Sequence, residues 1–382
     1  MKIIAKTLFG LEEILEKELI EFGAKETNIL NRAVEFQGDQ TLLYRANLCS
    51  RLALRLLVMV DSFQAHNERH LYGKIQQMDW SKYISGKQTF AIDCTAYGER
   101  FRHSKYAALT VKDAIVDQFR EKTGRRPSID TNEPDVKINV HISDIHVDVS
   151  LDSSGDSLEK RGYRLEAMEA PISEVLAAAM IILSGWNRQT PLFDPMCGSG
   201  TIVIEAAMMA ANKAPGLDRS FGFERWSDFN AELLENLKQE LVQNETKPQV
   251  EILGRDRHRR AMAITERNAR RAGVDRYVTI EAGDFMKKEP PFEQGWIIMN
   301  PPYGERLNED DEMEAFYHEV GFKLKHEYAG YTAWIISSNN KALKRIGLKP
   351  DTRIQLYNGA LECRYNGYTL FAGKRQDQIN RD

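Results

Sequence analysis

Four short stretches of the 382-residue chain hold residues able to do chemistry, and each follows an apolar run of strand length. The first, FDPMCGSGT, spans Phe193–Thr201. Gly198 and Gly200 carry no Cβ, so a ligand can approach the backbone closely there. Asp194 would stand at the carboxyl end of its strand, where open α/β sheets bind ligands. The loop lacks the Gly-Lys-Ser/Thr ending of a phosphate-binding P-loop, and Val203 breaks the G-x-G-x-x-G dinucleotide pattern. The second stretch ends in Gly254-Arg255-Asp256. Two carboxylate oxygens of Asp256 match the two vicinal hydroxyls of a ribose. The third ends in Gly283-Asp284-Phe285, where Asp284 can accept a hydrogen bond from an adenine amino group and Phe285 can pack against the ring. Any one of these acids alone could be a helix N-cap. Three at successive strand ends predict a site for a nucleoside-bearing molecule.

The fourth stretch is Asn300-Pro301-Pro302-Tyr303. The two prolines stiffen the loop and leave carbonyls without competing N–H groups. The Asn300 side-chain oxygen and the Pro301 carbonyl can both accept from one exocyclic amine. The lone pair of such an amine is delocalised into its ring, and two acceptors that hold its hydrogens out of plane would relocalise it. Tyr303 can stack on the base, a contact worth roughly 1–3 kcal/mol.

These stretches need a scaffold that presents strand ends side by side. From Arg161 onward the pattern supplies one: a helix opened by Pro171 (Ile172–Ser184), then strands at Leu192–Asp194, Val250–Gly254, Val278–Ala282, Trp296–Met299 and Ala333–Ser337, alternating with helical segments such as Ile202–Ala211. That alternation predicts a mostly parallel, doubly wound α/β sheet. Arg353–Tyr357 and Leu361–Phe371 flank Asn358-Gly359, a tight-hairpin signal, so the last two strands should be antiparallel. Upstream, Lys2–Leu8, Leu11–Phe22, Ala33–Gln37 and the segment from Asp39 to about Val60 have the βαββαβ rhythm of a small ferredoxin-like unit. A second small α/β module follows, with strands at Phe90–Thr95, Lys137–His141 and Asp144–Leu151 and a helix at Tyr106–Phe119. The expected domains are residues 1–60, 61–155 and 161–382.

Residues 99–126 hold eight Lys/Arg against four acids. Arg100, Arg102 and Lys105 are interleaved with Phe101, His103 and Tyr106, a pattern suited to phosphates and unpaired bases. A second run, Arg255–Arg271, has seven arginines and two acids and reads mainly as the outer face of a helix. The net charge of −4 argues against a wholly basic nucleic-acid binder but allows a local basic surface. Cys49, Cys94, Cys197 and Cys363 form no CxxC pair, so neither a disulfide framework nor a zinc ribbon is expected. His66 and His70 have helical spacing without a further ligand, and no metal site is expected. The longest apolar run, Val175 to Leu183, is far short of the ~20 residues of a membrane span, and the N-terminus has no signal-peptide core. A cytoplasmic protein fits these features.

The stretches DPMCGSGT and NPPYGERL resemble the S-adenosylmethionine-dependent RNA methyltransferases that carry a THUMP domain, above all the bacterial large-subunit rRNA guanine-N2 methyltransferase (RlmL-like) group. KRGYRLEAMEAP (Lys160–Pro171) is similar to that group's segment ahead of the methyltransferase fold, PGLDRSFGFERW (Pro215–Trp226) to its insert, and DSSGDSLEKRGYR (Asp152–Arg164) to the end of its THUMP domain. The resemblance implies a Rossmann-like class I methyltransferase domain with a seven-stranded, mostly parallel sheet, preceded by ferredoxin-like and THUMP modules. It implies S-adenosylmethionine as cofactor, with Asp194, Pro195, Cys197, Gly198, Gly200 and Thr201 around its methionine part. Asp256 would hold its ribose, and Asp284 with Phe285 its adenine. Asn300, Pro301, Pro302 and Tyr303 would be catalytic, and Arg100, Arg102, His103, Lys105 and Tyr106 would bind RNA, with 23S rRNA as the expected partner. A metal is not needed, because a sulfonium is already an activated methyl donor. One group member has a second methyltransferase domain; this chain's length leads us to expect a single activity. Asn-Pro-Pro-Tyr serves any exocyclic amine, so adenine N6 stays open beside guanine N2, as does tRNA beside rRNA. A non-catalytic RNA-binding assembly factor is the alternative of a different class. Sequence leaves the oligomeric state open.

Overall fold

The computed structural model describes residues 1–164, 172–302 and 310–373. The chain forms two compact units: Met1–Thr7, Glu12–Leu158 and Gly216–Glu240 make one, and Leu8–Leu11, Glu159–Pro215 and Leu241–Asp382 the other.

In the first unit the order β1 (Lys2–Lys6), α1 (Glu12–Glu21), β2 (Lys25–Leu30), β3 (Ala33–Gln37), α2 (Gln40–Cys49) and β4 (Arg55–Gln64) is the expected βαββαβ. Asp39 starts α2 by accepting the Leu42 N–H. There follow α3 (Glu68–Gln77), β5 (Thr89–Tyr97), α4 (Ser104–Thr123), β6 (Ser128–Ile129), β7 (Val136–Ser143) and β8 (His146–Asp152). Helix α3 was not foreseen beyond the spacing of His66 and His70. Its apolar stripe is short: only Leu71 and Ile75 are buried. Asp144 takes a left-handed φ of 57°, so Ile145 lies in a turn and the alternation of β8 starts at Val147. The eight strands form one sheet in the order β2-β3-β1-β4-β8-β7-β5-β6. Strand β4 pairs with β1 from Arg55 to Val58 and with β8 from Leu57 to Gln64. The two small modules are therefore joined along a shared strand.

The second unit contains α5 (Glu174–Leu183), β9 (Leu192–Asp194), α6 (Thr201–Ala210), β10 (Ile252–Asp256), α8 (Arg259–Arg271), β11 (Thr279–Ala282), β12 (Trp296–Met299), α9 (Asp310–Glu327), β13 (Thr332–Ser337), α10 (Asn340–Arg345), β14 (Thr352–Asn358) and β15 (Leu361–Thr369). Pro171, expected to open α5, lies outside the described residues. The α5 N-cap is Ser173, which accepts the Leu176 N–H. The seven strands are ordered β11-β10-β9-β12-β13-β15-β14. The first five are mutually parallel, and β15 runs antiparallel to both its neighbours. The hairpin loop is Gly359-Ala360, because Asn358 already pairs with Leu361; Gly359 supplies the positive φ of 61°. Helices α5 and α6 are buried along nearly their whole length, as helices apolar all round must be. Phe193, Ile297, Met299 and Ile335 of the sheet pack with Met313, Tyr317, Val320 and Leu324 of α9. Among the described residues, no helix is long and apolar enough to cross a membrane.

Residues 216–240 follow α6 in the chain but fold into the first unit, and α7 (Ala231–Gln243) begins there. The Phe223 ring stacks on Tyr44 of α2, with centroids 4.0 Å apart and planes at 12°. The Tyr44 hydroxyl accepts the Asn230 N–H at 3.1 Å. Arg219 donates to the carbonyls of Asp156 (2.8 Å) and Ser157 (2.9 Å). The Gly216 N–H reaches the Leu48 carbonyl at 2.8 Å, and a Cβ at Gly216 would lie 2.8 Å from that same oxygen. Phe223→Ala removes a wholly buried ring and should cost ~3–5 kcal/mol. The loss should appear by hydrogen exchange in α2 and the eight-stranded sheet, although residue 223 lies in the downstream half of the sequence. Loss of protection confined to α5 and α6 would contradict this packing.

Candidate active site

Strands β9 and β12 are parallel neighbours, with Leu192 opposite Trp296 and Phe193 opposite Ile297. Asp194 and Asn300 therefore leave adjacent strands at the carboxyl end of the sheet, where its winding reverses, Asn300 two residues beyond the level of Asp194. Asp194 is only 1% exposed, and its Oδ1 accepts the Met196 N–H at 3.1 Å. Burial pushes its carboxyl up to about 8, the Asp256 charge adds to this, and the Met196 bond opposes it. The loop is closed by the Gly200 N–H on the Cys197 carbonyl (2.7 Å) and tied to β10 by the Cys197 N–H on the Arg255 carbonyl (3.0 Å). Gly198 has a φ of 55°, and a Cβ there would meet nothing within 4 Å. This is the open cradle the sequence predicts. Gly200, at φ 83°, has a different reason to be glycine: its Cβ would lie 3.0 Å from Thr265 Oγ1 and closer still to the Thr265 methyl. Pro195 and Cys197 are buried, and burial holds the Cys197 thiol well above its ordinary range.

Asp256 ends β10. Its Oδ2 accepts the Gly198 N–H (3.0 Å) and its Oδ1 the His258 N–H (2.8 Å). Each carboxylate oxygen has two acceptor sites, so each keeps one for a hydroxyl. Two α8 residues that sequence reasoning missed complete the loop. Thr265 Oγ1 donates to the Gly198 carbonyl at 2.9 Å, and Asn268 Nδ2 to the Ser199 carbonyl at 3.0 Å. The signal was two polar residues at i, i+3 on the buried face of an arginine-rich helix. Asp284 Oδ1 accepts the Met286 N–H at 3.0 Å, so this acid also shapes its own turn. Phe285 requires a correction. Its ring is 2% exposed and packs on Tyr328 with centroids 5.5 Å apart, so it belongs to the apolar core rather than to an adenine-stacking surface.

At the end of β12 the Asn300 Oδ1 atom is buried and has no hydrogen-bond partner among the described residues. A buried acceptor left unpaired is costly, and a donor-bearing ligand would satisfy it. Pro301 is buried and Pro302 half-buried; Tyr303 lies outside the described residues. The carboxylates, the open Gly198 cradle and this orphaned acceptor fit a cationic nucleoside cofactor beside an amine.

Upstream of the sheet, Arg164 donates to Thr201 Oγ1 (3.0 Å) and the Ile172 carbonyl (2.7 Å) and pairs with Glu174 at 3.2 Å. Tyr163 donates to Glu205 at 3.0 Å. Thr201, expected near the cofactor, thus has its hydroxyl engaged by Arg164. Burial pushes the Glu174 carboxyl up to about 7 against the pull of Arg164.

In the first unit, Arg100, Arg102, His103, Lys105 and Tyr106 are all exposed, and Arg102 Nε donates to the Glu99 carbonyl. Phe101 does not join them: it is buried in the core with Phe90 and Val111. Lys112, Arg120 and Lys122 are paired with Asp113, Asp117 and Asp79. Tyr106, 58% exposed, lines a groove of about 1000 Å³ together with Arg69, Tyr72, Arg126 and Ile129. On α8, Arg259, Arg260, Arg267, Arg270 and Arg271 form the exposed outer face the sequence suggests.

Asp194 makes one prediction. With its folded value raised from 3.8 to about 8, it contributes stability to the unliganded protein that is complete below about pH 4 and lost as pH rises through about 8. Asp194→Asn should remove this component, so the variant's melting temperature should gain on the parent's from about pH 4 to about pH 8 and level off above that. A difference independent of pH would assign the titration elsewhere.

Residues 161–366 match a family model described as RMKL-like, methyltransferase domain; residues 65–152 match a THUMP domain and residues 2–57 an RlmL ferredoxin-like domain. The chain is 40% identical over 364 residues to a Synechocystis sp. protein named as an RNA methyltransferase, covering 95% of each. It is 40% identical over 382 residues to the ribosomal RNA large subunit methyltransferase K/L of Syntrophotalea carbinolica, covering 97% of this chain and 54% of that one. It thus spans about half the length of that relative. The crystal structure of SMU.472, described as a methyltransferase and complexed with SAH, superposes with a TM-score of 0.89 at 30% identity over 98% of this chain and 99% of that one. The strand-end acids, the glycine cradle and the match over more than half its length lead to one conclusion: the chain belongs to the RMKL-like methyltransferase family and takes S-adenosylmethionine as its methyl donor.

Proposed function

We propose that this chain methylates the exocyclic N2 of a guanine in 23S rRNA, in the cytoplasm. The observation that carries the reaction type is the buried Asn300 Oδ1 beside Pro301, without a hydrogen-bond partner among the described residues and one strand away from Asp194. The THUMP domain and the rRNA methyltransferase relative support RNA as substrate. Guanine N2 rests on the resemblance of the DPMCGSGT and NPPYGERL stretches.

When bound, the sulfonium cofactor supplies an electrophilic methyl group. Asp194, Asp256 and the Gly198 backbone hold and orient it. Asn300 Oδ1 and the Pro301 carbonyl accept the two amine hydrogens and turn the nitrogen lone pair toward the methyl carbon. A bond forms from nitrogen to that carbon as the carbon–sulfur bond breaks. The sulfur keeps the electron pair, and the amine gives up one proton to solvent. A base inside a helix must first be extruded to reach such a site.

Asn300→Ala should leave cofactor and RNA affinity intact and lower single-turnover methyl transfer to rRNA by ~10²-fold or more, as for loss of one preorganised transition-state hydrogen bond. A near-parental rate would end the amine-holding reading. Digesting the product to nucleosides checks the target: N2-methylguanosine is expected, and N6-methyladenosine would overturn the base assignment. Asp256→Ala should weaken cofactor binding by roughly ten- to a hundredfold, read by calorimetric titration; unchanged affinity would remove Asp256 from the site. Reversing Arg100, Arg102 and Lys105 to Glu should weaken RNA binding and flatten its salt dependence, with cofactor affinity unchanged. Parental binding across a salt series would make this an ordinary solvated surface.

A further inference from the structure

The prolines that stiffen the Asn300–Pro302 loop also remove its anchors. Neither Pro301 nor Pro302 has a backbone N–H, so both can be held only through their carbonyl oxygens. A donor for one of them stands on α9. The hydroxyl of Tyr317 lies 3.5 Å from the Pro302 carbonyl oxygen and 2.8 Å from Ser337 Oγ. Tyr317 and Ser337 are both fully buried. Ser337 ends β13, the parallel neighbour of β12, with Met299 opposite Ile335; two residues on, Ser337 is level with Pro301. Its Oγ also accepts the Asn339 N–H at 3.1 Å.

Either hydroxyl can donate across the 2.8 Å pair. The arrangement that satisfies all three contacts has Ser337 donating to Tyr317 and Tyr317 donating to Pro302. The Tyr317 ring sits among Ile297, Met299, Met313 and Val320, a setting where phenylalanine would pack as well. A hydroxyl placed there without a partner would be destabilising. That oxygen touches Ser337 Oγ and, at a longer 3.5 Å, the loop carrying Asn300.

We propose that Tyr317 and Ser337 are positioning residues for methyl transfer: their hydroxyl pair fixes the Pro302 carbonyl and thereby the aim of Asn300 Oδ1 and the Pro301 carbonyl at the amine. The inference rests on the reading of Asn300–Pro302 as the amine-holding loop. It adds two residues, from separate elements, that do not touch the substrate.

The test uses Tyr317→Phe and Ser337→Ala in the full chain, with and without Asn300→Ala. Tyr317→Phe should lower the single-turnover rate at saturating cofactor by about tenfold, less than loss of the acceptor itself but in line with imperfect orientation of a reacting group. Affinities for cofactor and rRNA should stay within about twofold of the parent. Ser337→Ala should act in the same direction, and Ser337→Thr, which restores a hydroxyl, should recover the rate. In the Asn300→Ala background Tyr317→Phe should bring a clearly smaller further loss, because only the Pro301 carbonyl remains to be aimed. A parental rate in Tyr317→Phe, or a loss that multiplies in full with Asn300→Ala, would overturn the positioning role. If Tyr317→Phe fails to fold, Ser337→Ala decides by the same criteria. The two readings fail separately: a fast Asn300→Ala removes the amine-holding loop, whereas a slow Asn300→Ala with a fast Tyr317→Phe removes only the positioning pair.

Discussion

The carboxylate of Asp256 joins two pieces of backbone that would otherwise be independent. One oxygen takes the Gly198 N–H at the crown of the β9–α6 loop, and the other takes the His258 N–H at the start of α8. With the loop fixed to α8, Thr265 and Asn268 of that helix can reach the Gly198 and Ser199 carbonyls. With those carbonyls fixed, Gly198 can hold a left-handed conformation with open space where a side chain would be. The cradle is thus a product of bonds made behind it. A loop of this length without them would have to draw its order from the ligand, at a cost in affinity.

Charge is distributed unevenly around the cradle. Arg255 precedes Asp256 in the chain, but its guanidinium pairs with Glu281 and lies over the Phe193 ring, 4.9 Å from the centroid. Nearby positive charge is thereby engaged elsewhere, and the influences on the Asp194 carboxyl are burial, the Asp256 charge and a single N–H. A site with that balance favours a cation, which suits a sulfonium donor better than the neutral thioether left after transfer. On the reading proposed above, discrimination between donor and product would begin at Asp194 and Asp256.

Much of the candidate site was legible because strand ends in a parallel sheet have a sequence signature: an apolar run, then an acid or Asn with a Gly or Pro within two residues of it. That pattern located Asp194, Asp256, Asp284 and Asn300 without reference to packing. The failures share a cause. Phe285 and Phe101 stand next to functional residues in sequence, and only the tertiary structure shows that their rings turn into cores. Tyr317, Ser337, Thr265 and Asn268 hydrogen-bond to partners 15 to 69 positions away, and no local pattern encodes such pairs. The insert was visible as a segment, but its membership of the first unit depends on Tyr44 and Leu48, far upstream. Helix α3 escaped notice because two buried residues make too narrow a stripe to stand out.

Strand β4 gives the N-terminal half a particular kind of unity. Its ten residues hydrogen-bond to β1 on one side and β8 on the other. Removing β1, β2 and β3 of the ferredoxin-like module would not cut a linker; it would strip β4, an interior strand, of its partner over Arg55–Val58. An uncovered edge of that kind invites pairing with other chains. The two modules are thus a single inheritance unit: a recombination event that exchanged one for a foreign counterpart would have to match the backbone register of a shared strand, a far stricter condition than joining two domains by a flexible tether.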